Sequence, residues 1–348
     1  MNENMKRLNV VFISLFFSLG LCSFVYADSI INGAGATFPY PLYTKWFAEY
    51  NKLNAEIKIN YQSIGSGGGI RLLLDRKIDF AASDIPMSDK QLAQAPAPIL
   101  HIPSALGAVV LTYNLPGVDQ ALKLNATLIA DIFLGKISKW NDKRILELNP
   151  ALKVADSLNI TVVHRSDGSG TSAIFTAYLA KLSLDWEKRV GAGTAVDWPA
   201  GLGGKGNEGV AGAIKQNPGS IGYVELIYAA NNKIPYASIQ NKAGEFVLPT
   251  NSTIKAAMLG VQIPDDFRAS ILDPEGKEAY PICGLTYILV YQKMPAPKGA
   301  QFISFLHWSL AEGQKYLEPL TYTSLPPAFL QKVGDKIKSL QAVVQAAH

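Results

Sequence analysis

Three glycine and hydroxyl stretches, GAGATF at 33–38, IGSGGG at 64–69 and RSDGSGT at 165–171, constrain this chain more than any other feature. Before the second, Ile57, Ile59 and Tyr61 alternate as in a strand, and after it Ile70, Leu73, Leu74 and Ile78 recur at helical spacing. The third runs from the β-branched segment 160–164 into another helical pattern. Each is therefore a strand-to-helix joint. Further strand signals lie in IDFAAS, where Asp84-Ile85-Pro86 breaks the run, and at 221–226, with a helix near 127–134. Strands alternating with helices predict an α/β fold with wound sheets, whose ligands sit at the carboxyl ends of strands.

At 348 residues the chain exceeds one average domain. The segments GAVVLTY (107–113) and LTYILVY (285–291) are rich in β-branched and aromatic residues and predict two strands crossing between lobes. Residues 28–106 and 284–348 then form one discontinuous lobe and residues 107–283 the other. The glycine-rich stretch GLGGKGNEG is expected to be a loop.

The start of the chain combines Lys6 and Arg7, an apolar run from Val10 to Phe24 and a small-residue end at Ala27, the order of a cleaved secretory signal peptide over residues 1–27. The preceding Leu19-Gly20-Leu21 puts a bulky Leu where a lipid-modified Cys22 would need a small residue. Cleavage leaves Cys283 as a lone cysteine, which can form no internal disulfide or cysteine-based zinc site. The remaining chain carries 30 basic and 27 acidic residues, a net +3. Near neutrality without a basic, aromatic-interleaved run excludes an electrostatic footprint for nucleic acid.

All three joints suit an anion. Small residues let a ligand approach backbone N–H groups, Thr37, Ser66 and Ser169 are candidate N-caps, and helix dipoles favour negative charge there. No Asp or Glu follows Thr37 before Glu49, Ser66 before Asp75 or Ser169 before Asp185, so the positive helix ends lack acidic partners. Arg165 offers a planar fork for an oxyanion, which Asp167 can hold in place. Taken alone, without the other joints, that pair reads as a routine exposed ion pair worth about 0 to 1 kcal/mol.

Competing motifs fail on chemistry. Gly201, Gly203 and Gly206 satisfy a dinucleotide spacing, but VDWPA ahead of them is a poor strand. Lys205 lacks the Ser or Thr that follows a P-loop lysine. Asp167-Gly168-Ser169 puts Ser169 where an aspartyl phosphotransferase needs a second acid. Neither Ser66 nor Ser169 fits a nucleophile elbow, and the histidines at 101, 164, 307 and 348 are scattered. No catalytic residue, cofactor or metal is expected.

The stretches GAGATFPYPLYTKW, IGSGGG, DFAASDIPMSD, LGKISKWND, RSDGSGTSAIFTAYL, WPAGLGGKGNEGV and GSIGYVE closely resemble the periplasmic phosphate-binding proteins of phosphate-specific ABC transporters. The likeness is densest from 33 to 226 and weakens after about 235. It implies a two-lobed periplasmic binding protein fold of type II, each lobe a sheet flanked by helices, closing on one inorganic phosphate in the cleft between lobes. It further implies a monomeric, non-enzymatic periplasmic receptor that passes phosphate to an ABC permease in the inner membrane. Carried over by motif, the phosphate-binding residues are Thr37, Phe38, Ser66, Asp84, Arg165, Ser169, Gly170 and Thr171, with Asp167 pairing Arg165. An acid beside an anion makes sense as an acceptor: phosphate at neutral pH carries an O–H, sulfate does not, so Asp84 would admit one and repel the other. Two alternatives stay open, a secreted phosphate-ester hydrolase and a binder of a related oxyanion.

Overall fold

The computed structural model describes residues 29–118 and 120–344; the signal-peptide expectation over residues 1–27 lies outside them. An eight-stranded sheet forms the frame. Its first half is built from β1 (Ser29–Gly35), β2 (Ile57–Ser63) and β3 (Phe80–Ser83), which pair in parallel with β1 central. Helix α1 (Tyr40–Leu53) connects β1 to β2, and α2 (Ser66–Leu74) connects β2 to β3. Strand β2 alternates between its faces as the Ile57, Ile59, Tyr61 pattern predicts.

Two long strands hold the centre. β4 (Ile99–Tyr113) pairs antiparallel through its first ten residues with a late strand at Cys283–Tyr291, then through Val109–Tyr113 with a strand at Ser220–Glu225. One strand thus belongs to both halves of the sheet. Both long strands are buried nearly throughout, and they read as continuous apolar runs because both sheet faces are covered. The sequence placed the first of them only from Gly107; its earlier half contains Pro103, which offers no N–H to a ladder. The ladder shifts register there, between Thr286 and Tyr287, and the bulge lets Ser104 Oγ donate to the Thr286 carbonyl at 3.1 Å.

The second half comprises β5 (Thr161–Arg165), β6 (Leu202–Gly204) and β7 (Ser220–Glu225), with β8 being the late strand Cys283–Tyr291. The order across the sheet is β2-β1-β3-β8-β4-β7-β5-β6. Helix α3 (Gly170–Leu182) follows β5, and α4 (Gly206–Gln216) follows β6. The helix expected near 127–134 spans Ala126–Phe133. GLGGKGNEG departs from expectation. It is a fourth strand-to-helix joint, obscured in the sequence because its three-residue edge strand exposes Leu202 and Gly203 and so lacks an apolar signature.

Aromatic packing makes each half rigid. Tyr43, Phe47, Phe80, Phe302 and Phe305 stack under the first half, with Phe80 and Phe302 centroids 4.5 Å apart. Phe175 and Tyr223, 4.4 Å apart, serve the second, with Phe133 and Trp198 against them. Offset aromatic pairs contribute beyond area burial. Packed halves joined by the one continuous strand β4 position the loops at their facing ends.

Candidate phosphate site

The joints after β1, β2, β3, β5 and β6 converge. Gly67 N donates to the Gly168 carbonyl at 2.9 Å, tying the second joint to the third. Gly65 makes this approach possible: it sits at φ +85°, and a Cβ there would lie 2.5 Å from both the Asp167 carboxylate and the Gly168 carbonyl. Gly170 is equally confined, since a Cβ would fall 2.3 Å from Ser66 Oγ and 2.5 Å from Asp84 Oδ2.

Of the three candidate N-caps, Ser169 alone acts as one, its Oγ accepting the Ser172 N–H at 3.0 Å. Thr37 precedes α1 without capping it, because Pro39 and Pro41 set the helix entry at Tyr40. Ser66 is the first residue of α2, displaced from the cap by Gly65. Its Oγ instead accepts the Asp84 N–H at 3.2 Å and lies 3.4 Å from Asp84 Oδ2. First-turn N–H groups at Ser66, Gly170 and Thr171 have no carbonyl within their own helices to reach. None of the three joints' helices has an acid in its first turn.

Arg165 and Asp167 form a two-pronged pair, Nε to Oδ1 at 2.7 Å and Nη2 to Oδ2 at 2.5 Å. The Arg165 side chain is 1% exposed and that of Asp167 13%, so the exposed-ion-pair reading is set aside. Gly206 N adds a bond to Asp167 Oδ1 at 3.0 Å. Burial alone would raise the Asp167 carboxyl, but the guanidinium and this amide outweigh it and hold it below the usual range. The remaining prong, Arg165 Nη1, lies 3.4 Å from Thr171 Oγ1.

Asp84 is 3% exposed and behaves oppositely. Burial pushes its carboxyl up to about 7, against the opposing effects of the Thr286 hydroxyl, the Arg165 charge and the Ser66 hydroxyl. Thr286 Oγ1 donates to Oδ1 at 3.0 Å. The β4–β8 register shift falls beside Thr286.

This is the geometry of a buried cluster of helix-start amides, a guanidinium and one raised carboxyl. A family model described as a PBP superfamily domain matches residues 26–307. The phosphate-binding protein PstS of Xylella fastidiosa strain 9a5c is 46% identical over 307 residues, covering 87% of this chain and 83% of the relative. That of Haemophilus influenzae is 41% identical over 326 residues, covering 92% and 96%. The chain belongs to the PstS family of the PBP superfamily. Its fold also matches a solved high-affinity periplasmic phosphate-binding protein bound with phosphate (PfluDING) at TM-score 0.72 and 20% identity, covering 91% of this chain and all of that one.

All eight residues that the PstS resemblance assigned to the ligand are buried at the converging joints. Direct bonds or near approaches link Ser66, Asp84 and Gly170, and separately Arg165 and Thr171. Phe38 enters through its neighbours: Tyr322 Oη donates to its carbonyl at 2.6 Å, and its ring packs against Gly107. Sequence reasoning missed Asn207, at the start of α4, although GKGNEG was in view; a search for hydroxyl caps passes over an amide. It also missed Tyr228, whose Oη donates to the Thr37 carbonyl at 2.5 Å.

Proposed function

We propose that the chain captures inorganic phosphate between its lobes in the periplasm and hands it to an ABC permease of the inner membrane. The PstS relatives support the ligand, and the observation that carries the reading in this chain is the meeting of a buried Arg165–Asp167 pair with a buried, raised Asp84 at helix amino termini. Thr37, Phe38, Ser66, Asp84, Arg165, Ser169, Gly170 and Thr171 hold the ion. Asp167 orients Arg165. The lobes are 28–106 with 284–348, and 107–283, hinged on β4 and β8. The protein acts as a monomeric, non-enzymatic receptor released by signal cleavage at Ala27; among the described residues no helix is long and apolar enough to cross a membrane.

Recognition divides between donors and one acceptor. Amides and Arg165 bind any tetrahedral oxyanion, whereas ionised Asp84 accepts the phosphate O–H and repels an anion that lacks one. Calorimetric titration of dialysed protein at pH 8 with phosphate and then sulfate tests this. Tight phosphate binding with no sulfate heat is expected. Equal binding of both would remove Asp84's role, and no phosphate binding would remove the reading altogether. At pH 5, with Asp84 protonated and able to donate, sulfate affinity should rise.

A further inference from the structure

Asn207 is fully buried, and its side-chain amide reaches a threonine on each side of the site. Nδ2 donates to Thr37 Oγ1 at 2.7 Å and to Thr171 Oγ1 at 3.2 Å. Thr37 follows β1 in the first half of the sheet and Thr171 follows β5 in the second. The orientation of the amide is settled by its other end. Oδ1 accepts the Glu225 N–H at 3.0 Å, and a backbone N–H can only donate, so the NH2 group faces the threonines.

The consequence for the hydroxyls follows from counting lone pairs. A hydroxyl has two acceptor sites and one hydrogen. Thr37 Oγ1 accepts from Asn207 Nδ2 and again from Asn207 N at 3.3 Å. Thr171 Oγ1 accepts from Asn207 Nδ2 and faces Arg165 Nη1 at 3.4 Å. With both acceptor sites engaged, each hydroxyl can only present its hydrogen outward, and among the described residues neither has a protein acceptor for it.

We propose that Asn207 is a positioning residue that fixes the Thr37 and Thr171 hydroxyls as hydrogen-bond donors toward the bound oxyanion, one from each lobe. The inference rests on the reading of this cleft as a phosphate site. Without the amide, either hydroxyl can rotate to present a lone pair to the anion, which is repulsive. Fixing two donors in advance removes that alternative before phosphate arrives. Because the same NH2 group serves both threonines, the alignment is complete only when the two halves meet.

The test is a double-mutant cycle read by calorimetric phosphate affinity, with thermal melting of the ligand-free protein as a separate measure of structural damage. Asn207→Ala should weaken phosphate binding roughly 10- to 100-fold, the equivalent of one to two lost hydrogen bonds in a desolvated site. In a Thr37→Val/Thr171→Val background the same substitution should cost less than about threefold, since there are no hydroxyls left to orient. A merely structural role would lower the melting temperature and weaken phosphate equally in both backgrounds, and that result would overturn the proposal. Asn207→Asp keeps the shape and the acceptor for Glu225 N–H but turns the donor end into an acceptor that draws both hydroxyl hydrogens inward. It should bind phosphate more weakly than Asn207→Ala, and it serves if the alanine variant does not fold. Wild-type affinity in Asn207→Asp would also overturn the proposal. Should the wild type itself bind no phosphate, the functional reading fails instead.

Discussion

Asp84, after β3, is buried and Asp167, after β5, is largely so; their loops meet at one site, yet the two carboxyls are driven in opposite directions. Asp84 is raised to about 7 by burial, its direct side-chain partners being the neutral hydroxyls of Thr286 and Ser66. Asp167 is lowered because a guanidinium and an amide bond both of its oxygens. The difference lies in the partner supplied by each half of the sheet. The first half contributes an acid whose charge is left nearly uncompensated, fit to read a hydrogen. The second contributes an acid spent on aligning a cation, fit to hold an oxyanion. Two like residues shift in opposite directions because their desolvation is offset to different extents.

The largest effect in this comparison should come from Arg165→Ala, which removes the site's cation and strands Asp167. Phosphate affinity should fall by at least about 100-fold, and stability by roughly 3 to 5 kcal/mol, the cost of breaking a buried pair. Adding Asp167→Asn should recover much of the melting temperature but not the affinity. Recovery of both would mean that the guanidinium does not touch the ion.

Asp84→Asn sharpens the contrast through pH. The folded carboxyl titrates near 7 and the unfolded one at the ordinary value near 3.8. Between these values the folded state binds more protons, so this group's favourable contribution is complete below about pH 4 and is lost as pH rises to about 7. Ligand-free wild type should therefore lose up to about 4 kcal/mol from this source over that interval. The asparagine variant should lack this component, admit sulfate at pH 8 and show a flatter denaturant-unfolding profile. A profile as steep as that of wild type would mean that Asp84 is not the buried proton acceptor.

Gly170→Ala should have the smallest effect. The added methyl would press on Ser66 Oγ and Asp84 Oδ2 across the cleft, and overpacking of this kind costs about 1 to 3 kcal/mol. Since the strain falls where the halves meet, small-angle scattering should show a more open average form and phosphate should bind about 5- to 100-fold more weakly. Unchanged affinity would mean that the joints approach less closely in solution.

Much of this was legible early because it is local. The alternation at Ile57, Ile59 and Tyr61, the joint at Ser66 and the cap at Ser169 depend on residues within a few positions of one another. Arg165 and Asp167 are two residues apart, so their pairing could be read from the loop, although its burial could not. The N-cap expectations for Thr37 and Ser66 failed for equally local reasons, the prolines at 39 and 41 and the positive φ of Gly65. The short edge strand β6 escaped notice because three residues leave no period to detect.

By itself the sequence determined an α/β chain with glycine-lined helix entries, a guanidinium held by a nearby acid and a motif set shared with PstS proteins. Tertiary structure alone decided which of these groups lose water together. Asp84 is raised because burial outweighs two hydroxyl bonds, one of them from Thr286 202 positions away, and the charge of Arg165. Thr37 meets Asn207 across 170 positions for the same reason. Hydrogen-bond direction and charge state depend on desolvation by distant segments, and no spacing along the chain encodes that.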